Sequence, residues 1–279
     1  MQINSYAKIN LGLHVLNERA DGFHNITTIF QELNFCDQIT IEESQKMSFD
    51  TNVDWVDRNN NTCVKAIKIL QNHYSDLPNF KIFLQKNIPT NAGLGGGSSN
   101  GTATLKAINQ LCELNIQEKE MKQFAEKISA DSTFFVNGGL QGGEQKGEKL
   151  YPIKDSTIDT QILLVMPSIR VQTSDAFMFI KKYLVKGKTD VKLSQMLEEL
   201  KVNKLSSELF YNDFEVYVFK THPEIGKIKL KILDLGAQYA SLSGSGSTVF
   251  GIFSDKQTAQ KAQSFFSPHY STIIANPKI

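Results

Sequence analysis

The stretch PTNAGLGGGSSN, residues 89–100, says more about the fold of this chain than any other part of its sequence. Four of its twelve residues are glycines, and it leads into TATLKAINQL, whose apolar residues have helical spacing. Glycine lets a ligand approach the main chain closely, and a helix start offers unpaired N–H donors and the positive end of a dipole. The pattern predicts a site for an anion, most simply a nucleotide phosphate, against the alternative of a flexible glycine turn.

The common phosphate-binding motifs do not account for this loop. It contains no lysine, and Gly187-Lys188-Thr189 has Lys182 where a Walker A motif requires its first glycine. The Rossmann pattern fails as well, because its last glycine position is filled by Ser98 or Asn100. The sequence also has no HRD or DFG, which excludes a protein kinase.

The bulk composition is that of a globular protein of one large domain or two ordinary ones. Of 279 residues, 41% are hydrophobic and 21% charged, and the net charge of +1 argues against a nucleic-acid partner. The three cysteines, Cys36, Cys63 and Cys112, are widely spaced and form no CxxC, which favours a reduced, cytoplasmic compartment over a disulfide framework or a zinc site. No apolar run of about 18 residues predicts a membrane span, and the N-terminus does not resemble a signal peptide.

Residues 8–15 alternate strictly and predict a strand. One face is apolar, and the other carries Lys8, Asn10, Gly12 and His14. The polar face has two interpretations: a solvated edge of an antiparallel sheet, which is the commoner case, or a face that serves a function.

The remaining pattern predicts strands at 26–34, 38–43, 80–85 and 161–166, and helices at 61–74, 118–128 and directly after the glycine loop. Helical spacing recurs around 225–235, and SLSGSGSTVFGIF, residues 241–253, predicts a Gly/Ser turn that runs into a strand. Because strands and helices mix without a βαβ rhythm, the predicted fold class is α+β with two subdomains, divided near residues 155–160.

Three segments, taken in order, resemble the GHMP kinase superfamily. PTNAGLGGGSSN is similar to its phosphate-binding motif, P-x-x-x-G-L-x-x-S-S, with extra glycines. AKINLGLHVLNERADGFHNI, residues 7–26, and SLSGSGSTVFGIF are similar to the flanking motifs. The segment at residues 7–26 most resembles the kinases of the non-mevalonate isoprenoid pathway, whose sequences are approximately A-K-I-N-L-x-L-x-[IV]-x-x-x-R-x-D-G-[YF]-H. The resemblance extends from Ala7 to about Phe253.

The resemblance implies a two-domain GHMP kinase fold, with a ribosomal S5 domain 2-like α/β domain at 1–157 and a ferredoxin-like domain at 158–279. It implies transfer of the γ-phosphoryl group of ATP, with Mg²⁺, to the 2-hydroxyl of a diphosphocytidyl-methylerythritol substrate. The expected partners are that small molecule and ATP, with no nucleic acid or membrane, and the expected state is a monomer or weak homodimer.

The same resemblance assigns residues. Lys8 and Asp131 match the catalytic lysine and aspartate, so Asp131 is expected to orient the hydroxyl while Lys8 stabilises charge. The residues expected to bind ATP are Pro89, Gly93, Leu94, Gly95, Gly96, Gly97, Ser98 and Ser99, with Asn61 at the adenine. The residues expected to bind the substrate are Asn10, Phe23, His24, Thr173 and Phe177. Gly244 and Gly246 are expected to pack the late loop beside the phosphate loop. The Mg²⁺ ligands are not assigned beyond phosphates, waters and a loop serine.

The chain departs from the family around Asp131, where the usual pattern is close to G-A-D-V-P-F-F. Ser129, Ser132 and Thr133 replace the glycine, valine and proline, and loss of the proline removes a rigid turn element. The departure puts the pose of Asp131 in question, and a competing role for this residue is the N-cap of a short helix at 132–136. Gly101, where alanine is common, is expected to weaken the first helical turn slightly.

Two other functions compete with this assignment. Another GHMP small-molecule kinase, for mevalonate-type or homoserine-type alcohols, would have no use for the aromatic–histidine pair of RADGFHN. A catalytically inactive sensor of the same fold would have no need to keep both Lys8 and Asp131.

Overall fold

The structure, a computed structural model, describes residues 1–154, 160–183 and 191–278. Its strands are β1 Gln2–Glu18, β2 His24–Ser44, β3 Ser48–Thr51, β4 Asn79–Gln85, β5 Leu140–Gln145, β6 Lys149–Pro152, β7 Gln161–Met166, β8 Tyr239–Leu242, β9 Val249–Phe253 and β10 Ser271–Ala275. Its α-helices are α1 Thr62–Gln71, α2 Gly96–Leu111, α3 Glu118–Ile128, α4 Phe134–Asn137, α5 Thr173–Tyr183, α6 Leu193–Lys201, α7 Phe214–Thr221, α8 Pro223–Asp234 and α9 Lys256–Phe266. A 3-10 helix covers Ala130–Thr133. This mixture confirms the α+β prediction.

The chain divides into two compact units. Unit 1 consists of Met1–Ala7, Phe35–Pro89 and Gly95–Gly138. Unit 2 consists of Lys8–Asn34, Thr90–Leu94 and Gly139–Ile279. The long strands β1 and β2 contribute residues to both units. The predicted domain boundary at 157/158 lies outside the described residues and stays a prediction.

In unit 1, β4 pairs antiparallel with the second half of β2 and parallel with β3. The strand alternates, so that Phe80, Ile82 and Leu84 are buried while the residues between them are more exposed. These side chains share a core with α1, α2 and α3, whose apolar stripes supply Ile67 and Phe124 among others. The core therefore supports α2 and, with it, the glycine loop from which that helix begins.

In unit 2, β5 pairs antiparallel with the first half of β2 and with β6. A separate four-stranded antiparallel sheet has the order β10-β7-β9-β8. Its core joins β7 and β9 to α5, α7, α8 and α9, as expected for QILLVM and for the apolar stripe of α8.

One predicted break is absent. The sequence predicts two strands, at 26–34 and 38–43, but β2 is continuous from His24 to Ser44. Asp37, which falls in the predicted gap, is fully buried, and its carboxylate accepts the N–H groups of Asn87 and Ile88, both at 2.7 Å. The polar residue is thus satisfied from another segment, and the strand needs no turn to expose it.

Candidate active site

The second half of the glycine loop, in unit 1, forms the start of α2. Gly95 is the N-cap and has a left-handed backbone with φ 67°, which explains glycine at that position. The N–H of Ser99 donates to Gly95 O at 2.9 Å, so the N–H groups of the three preceding residues lie ahead of the intrahelical ladder. Apart from its chain neighbours and the backbone of its own helix, a β-carbon at Gly97 would meet no described atom within 4 Å. The turn therefore presents backbone donors beside open space.

The first half of the loop, in unit 2, packs against the late Gly/Ser loop. Gly93 has φ 78°, and a β-carbon there would overlap the carbonyl of Ser243. Ser243 Oγ donates to Gly93 O at 2.9 Å, and the N–H of Thr248 donates to Ala92 O at 3.2 Å. Gly244 also lies close, since its β-carbon would stand 3.3 Å from Gly93 Cα. The late loop thus lies beside Gly93, where the sequence resemblance expected it.

Beneath α2, unit 1 contains a buried polar network that the sequence reasoning missed. Lys86 and Asp37 form a buried ion pair, and Asp37 also accepts from Asn100 Nδ2 at 2.8 Å. Asn100 further donates to Ser5 Oγ at 2.9 Å, and Ser5 donates to Ser99 Oγ at 2.8 Å. Burial lowers the pKa of Lys86, and the Asp37 carboxylate opposes that shift. An aspartate within the apolar pattern of β2 was the available signal.

Lys8, in unit 2, is held by a chain of hydrogen bonds. It is 3% exposed, its Nζ donates to Asn10 Oδ1 at 2.8 Å, and it lies 5.5 Å from the centroid of the Phe30 ring. Asn10 Nδ2 donates to Thr28 Oγ1 at 3.0 Å, and Thr28 donates to Gly12 O at 2.6 Å. The solvated-edge interpretation of the polar face of β1 is wrong, because these side chains are buried and bonded to one another. Thr28 is a further residue that sequence reasoning missed.

Asp131, in unit 1, is half-buried and lies within the 3-10 helix rather than at its start. The N-cap of this helix is Ser129, so the expectation that Asp131 caps a short helix is wrong. Two of the residues that depart from the family pattern, Ser129 and Ser132, form hydrogen bonds here. Ser129 Oγ donates to Ser98 Oγ at 2.8 Å, and Thr102 Oγ1 donates to Ser132 O at 2.8 Å. Hydrogen bonds therefore connect the Asp131 turn to the first turn of α2.

The aromatic segment of unit 2 presents one exposed and one buried ring. Phe23 is 55% exposed, with Lys146 Nζ 5.3 Å from its ring centroid. His24 is 8% exposed, and its Nε2 has no hydrogen-bond partner in the described part of the chain. The His24 ring stacks on Phe177 at 5.1 Å with an interplanar angle of 22°, and Phe177 meets Phe214 edge-on at 4.8 Å. His24 thus covers one face of the Phe177 ring. That Phe177 stacks on a base stays a prediction.

Two predicted residues already have structural partners. Asn61 caps α1: its Oδ1 accepts from the N–H of Val64 at 3.0 Å, and its Nδ2 donates to Asp57 O at 2.8 Å. Thr173 begins α5, and its hydroxyl lies 2.8 Å from Ser245 Oγ in the late loop. The adenine role of Asn61 and the substrate role of Thr173 remain predictions.

The structure brings the predicted residues together in groups. In unit 2, the N–H of Lys8 donates to Leu94 O at 3.0 Å, and a β-carbon at Gly244 would lie 3.6 Å from Asn10 Oδ1. In unit 1, Ser98 contacts the turn that carries Asp131. Pro89 is the last residue of the Phe35–Pro89 segment of unit 1 and follows the buried Ile88.

The described ranges contain no cluster of side chains suited to a resident metal ion. In the ranges 1–154, 160–183 and 191–278, no three or more His, Cys, Asp or Glu side chains cluster so that they could hold a metal ion. Over the same ranges, no helix combines the length and the apolar character needed to cross a bilayer.

Comparison with known proteins gives a consistent result. Residues 61–139 match the model of the GHMP kinases N terminal domain, and residues 195–272 match that of the GHMP kinases C terminal. The 4-diphosphocytidyl-2-C-methyl-D-erythritol kinase of Thermodesulfovibrio yellowstonii is 36% identical over 97% of this chain and 95% of its own length. The kinase of the same name from Parabacteroides distasonis is 38% identical over 94% of each.

A solved structure gives the same fold. The crystal structure of a 4-(cytidine 5'-diphospho)-2C-methyl-D-erythritol kinase superposes with a TM-score of 0.85, at 24% identity, over the full length of both chains. The predicted two-domain fold class is confirmed.

Proposed function

This chain belongs to the GHMP kinase family, and on that premise we propose that it phosphorylates the 2-hydroxyl of 4-diphosphocytidyl-2-C-methyl-D-erythritol with ATP. The products are the 2-phosphate and ADP, and the reaction is a step of non-mevalonate isoprenoid synthesis. The observation that carries the proposal is the similarity, over nearly the whole chain, to relatives named for this reaction. The three cysteines are free, which supports a reduced compartment, the cytoplasm.

The glycine loop is proposed to bind the triphosphate of ATP. The left-handed turn at Gly95 and the helix start behind it aim N–H donors and the positive end of the α2 dipole at the same point. Gly97 leaves open space there, which suits an approaching phosphate. Pro89, Gly93 and Leu94, which precede this turn in the chain, are proposed to bind ATP with it.

Asp131 and Lys8 are proposed to act at the transferred group. In the reaction a bond forms between the substrate 2-oxygen and the γ-phosphorus, the bond from that phosphorus to the β,γ-bridging oxygen breaks, and ADP leaves. Phosphoryl transfer has a loose transition state that needs little early deprotonation, so a weakly basic carboxylate is adequate. Asp131 orients the hydroxyl and accepts its proton late, and the Lys8 ammonium stabilises negative charge. The bonds through Asn10 and Thr28 hold Lys8 in one pose, which avoids reorganisation during transfer.

Mg²⁺ is proposed to accompany ATP. The described residues lack a cluster of acidic ligands, and this donor set fits a metal held mainly by phosphate oxygens and water, as is usual for Mg²⁺ in kinases. When bound, the ion neutralises phosphate charge.

The segment that carries Phe23 and His24 is proposed to bind the cytidine end. Phe23 offers an exposed ring for stacking, which is worth about 1–3 kcal/mol per base. His24 Nε2 is a buried polar atom without a partner among the described residues, and a base edge would satisfy it. Asn10, Thr173 and Phe177 are proposed to complete the substrate site.

A coupled ADP-release assay with a panel of alcohols tests the function. We expect ADP with the diphosphocytidyl substrate, and none with mevalonate or homoserine. Turnover of either of those alcohols instead would assign the chain to another GHMP kinase, and no turnover at all would favour a sensor. Asp131→Ala is expected to lower kcat by about 10²–10⁴. Asp76→Ala, at an exposed aspartate of the same unit, is the control and should leave the rate unchanged.

A further inference from the structure

Three serine hydroxyls of unit 1 meet between the start of α2 and the Asp131 turn. Ser129 Oγ lies 2.8 Å from Ser98 Oγ and 2.6 Å from Ser132 Oγ. Ser132 Oγ also lies 3.3 Å from Ser98 O, and it is fully buried. Ser98 and Ser129 are half-buried. Two of these serines stand where the family pattern has a glycine and a valine.

The geometry of the cluster decides which hydroxyl donates in each contact. Each of the two short oxygen–oxygen contacts needs one proton. Ser129 donates to Ser98, so Ser132 donates to Ser129, and the Ser98 proton is left for a ligand. Ser98 O also accepts from Thr102 Oγ1 at 3.2 Å, so this order does not leave that carbonyl unpaired.

We propose that Ser129 and Ser132 are positioning residues that direct the Ser98 hydroxyl to donate a hydrogen bond to a phosphate oxygen of the bound nucleotide. The proposal rests on the proposed function, which places the triphosphate at this turn. A chain of hydroxyls polarises its last member, so Ser98 becomes a stronger donor than an isolated serine. An anion at the helix start accepts a hydrogen bond from the proton that this order leaves on Ser98.

The same bonds fix the turn that carries Asp131. Asp131 lies between Ser129 and Ser132 in the chain, and both serines contact Ser98. Nucleotide binding at Ser98 therefore favours one arrangement of the catalytic turn relative to α2.

The substitutions Ser129→Thr and Ser129→Val provide a matched test, because the two side chains have the same shape and differ in the hydroxyl. The backbone at Ser129 is extended, with φ −167° and ψ 166°, which β-branched residues adopt readily. Affinity for a non-hydrolysable ATP analogue is measured by calorimetry, in Mg²⁺ and in EDTA. We expect Ser129→Val to bind about three- to tenfold more weakly than Ser129→Thr, the effect of one neutral hydrogen bond.

The double variants with Ser98→Ala show whether Ser129 acts through Ser98. In that background the Thr and Val variants should bind the analogue equally. A Thr–Val difference that persists without the Ser98 hydroxyl, or no difference in the parent, would overturn the proposal. A difference confined to the Mg²⁺ titration would also overturn it, because Ser98 would then act as a metal ligand. Ser132→Ala supplies the same comparison if Ser129→Val does not fold.

The titrations contain no acceptor alcohol, so they are independent of turnover. Coupling between Ser129 and Ser98 without turnover of the cytidyl substrate would refute the proposed function and leave this inference standing. Turnover without coupling would refute the inference alone.

Discussion

Replacing Thr28 with valine tests whether the hydrogen-bond chain beneath Lys8 contributes to stability and catalysis. Thr28 is fully buried; its hydroxyl accepts from Asn10 Nδ2 at 3.0 Å and donates to Gly12 O at 2.6 Å. Valine keeps the shape of threonine but removes the hydrogen bonds to both of those partners. Thr248 supplies the control, since it is equally buried and its hydroxyl has no hydrogen-bond partner in the described ranges.

The expected magnitude follows from the number of groups that lose a partner. A buried polar group left unsatisfied costs about 1–3 kcal/mol, so two groups lower the free energy of unfolding by about 2–4 kcal/mol after partial relaxation. At roughly 2 °C per kcal/mol for a chain of this size, Tm falls by about 4–8 °C. Thr248→Val removes an unpaired hydroxyl and should leave Tm unchanged or raise it. Because Asn10 loses its anchor and in turn orients Lys8, we expect kcat of Thr28→Val to fall by about ten- to a hundredfold.

Thermal denaturation and the ADP-release assay measure these two effects on the same preparations. Equal Tm values for the two valine variants would show that the Thr28 bonds contribute no net stability. A lower Tm with unchanged kcat would show that Lys8 keeps its pose without Asn10 and Thr28, and would refute the positioning argument.

Three further predictions concern other residues. Phe23→Ala should raise KM for the cytidyl substrate far more than KM for ATP. Equal increases in the two KM values would show that Phe23 is not part of the cytidine site. Burial is the main cause of the lowered pKa of His24, so the unfolded chain binds a proton more readily than the folded chain. The contribution of neutral His24 to stability is therefore intact above pH 6.5 and is lost as pH falls through the folded pKa. His24→Gln should therefore flatten the pH dependence of Tm just below pH 6.5, and an unchanged slope there would contradict this. Lys86→Met should destabilise by about 3–5 kcal/mol in urea unfolding because Asp37 stays buried and charged. Lys81→Met, which breaks an exposed ion pair on β4, the strand that ends just before Lys86, should cost at most about 1 kcal/mol. Similar losses for the two variants would refute the expected difference.

Local periodicity was sufficient to predict the elements whose cores are built from regular apolar stripes. The bounds of α3 and β7 coincide with the predicted 118–128 and 161–166, and α1 differs by a few residues. Each of these segments buries one face or a short apolar run, so spacing along the chain carries the information. The glycine loop was predictable for a related reason, because the left-handed turn at Gly95 requires a residue type that the sequence displays.

The sequence could not show which polar residues are buried. Alternation in β1 separates two faces but says nothing of what covers each face. Asn10, which holds Lys8, is bonded to Thr28, and Asp37 is bonded to Lys86 and to the N–H groups of the two residues after it. These partners are distant in sequence, up to 51 residues away for Asp37 and Ile88, and no local pattern links them.

The departures around Asp131 show how a turn can keep its position without the proline of the family pattern. Proline would restrict the backbone directly, whereas Ser129 and Ser132 restrict it through hydrogen bonds to Ser98 and so make the turn depend on α2. Thr133, at the proline position itself, is buried, and its hydroxyl has no hydrogen-bond partner among the described residues, so it adds no such restraint. The restraint that proline would supply within the turn is here supplied by contacts with Ser98 of the glycine loop. If the glycine loop binds ATP as proposed, a ligand held at Ser98 also restrains the turn that carries Asp131, which a proline-fixed turn would not require.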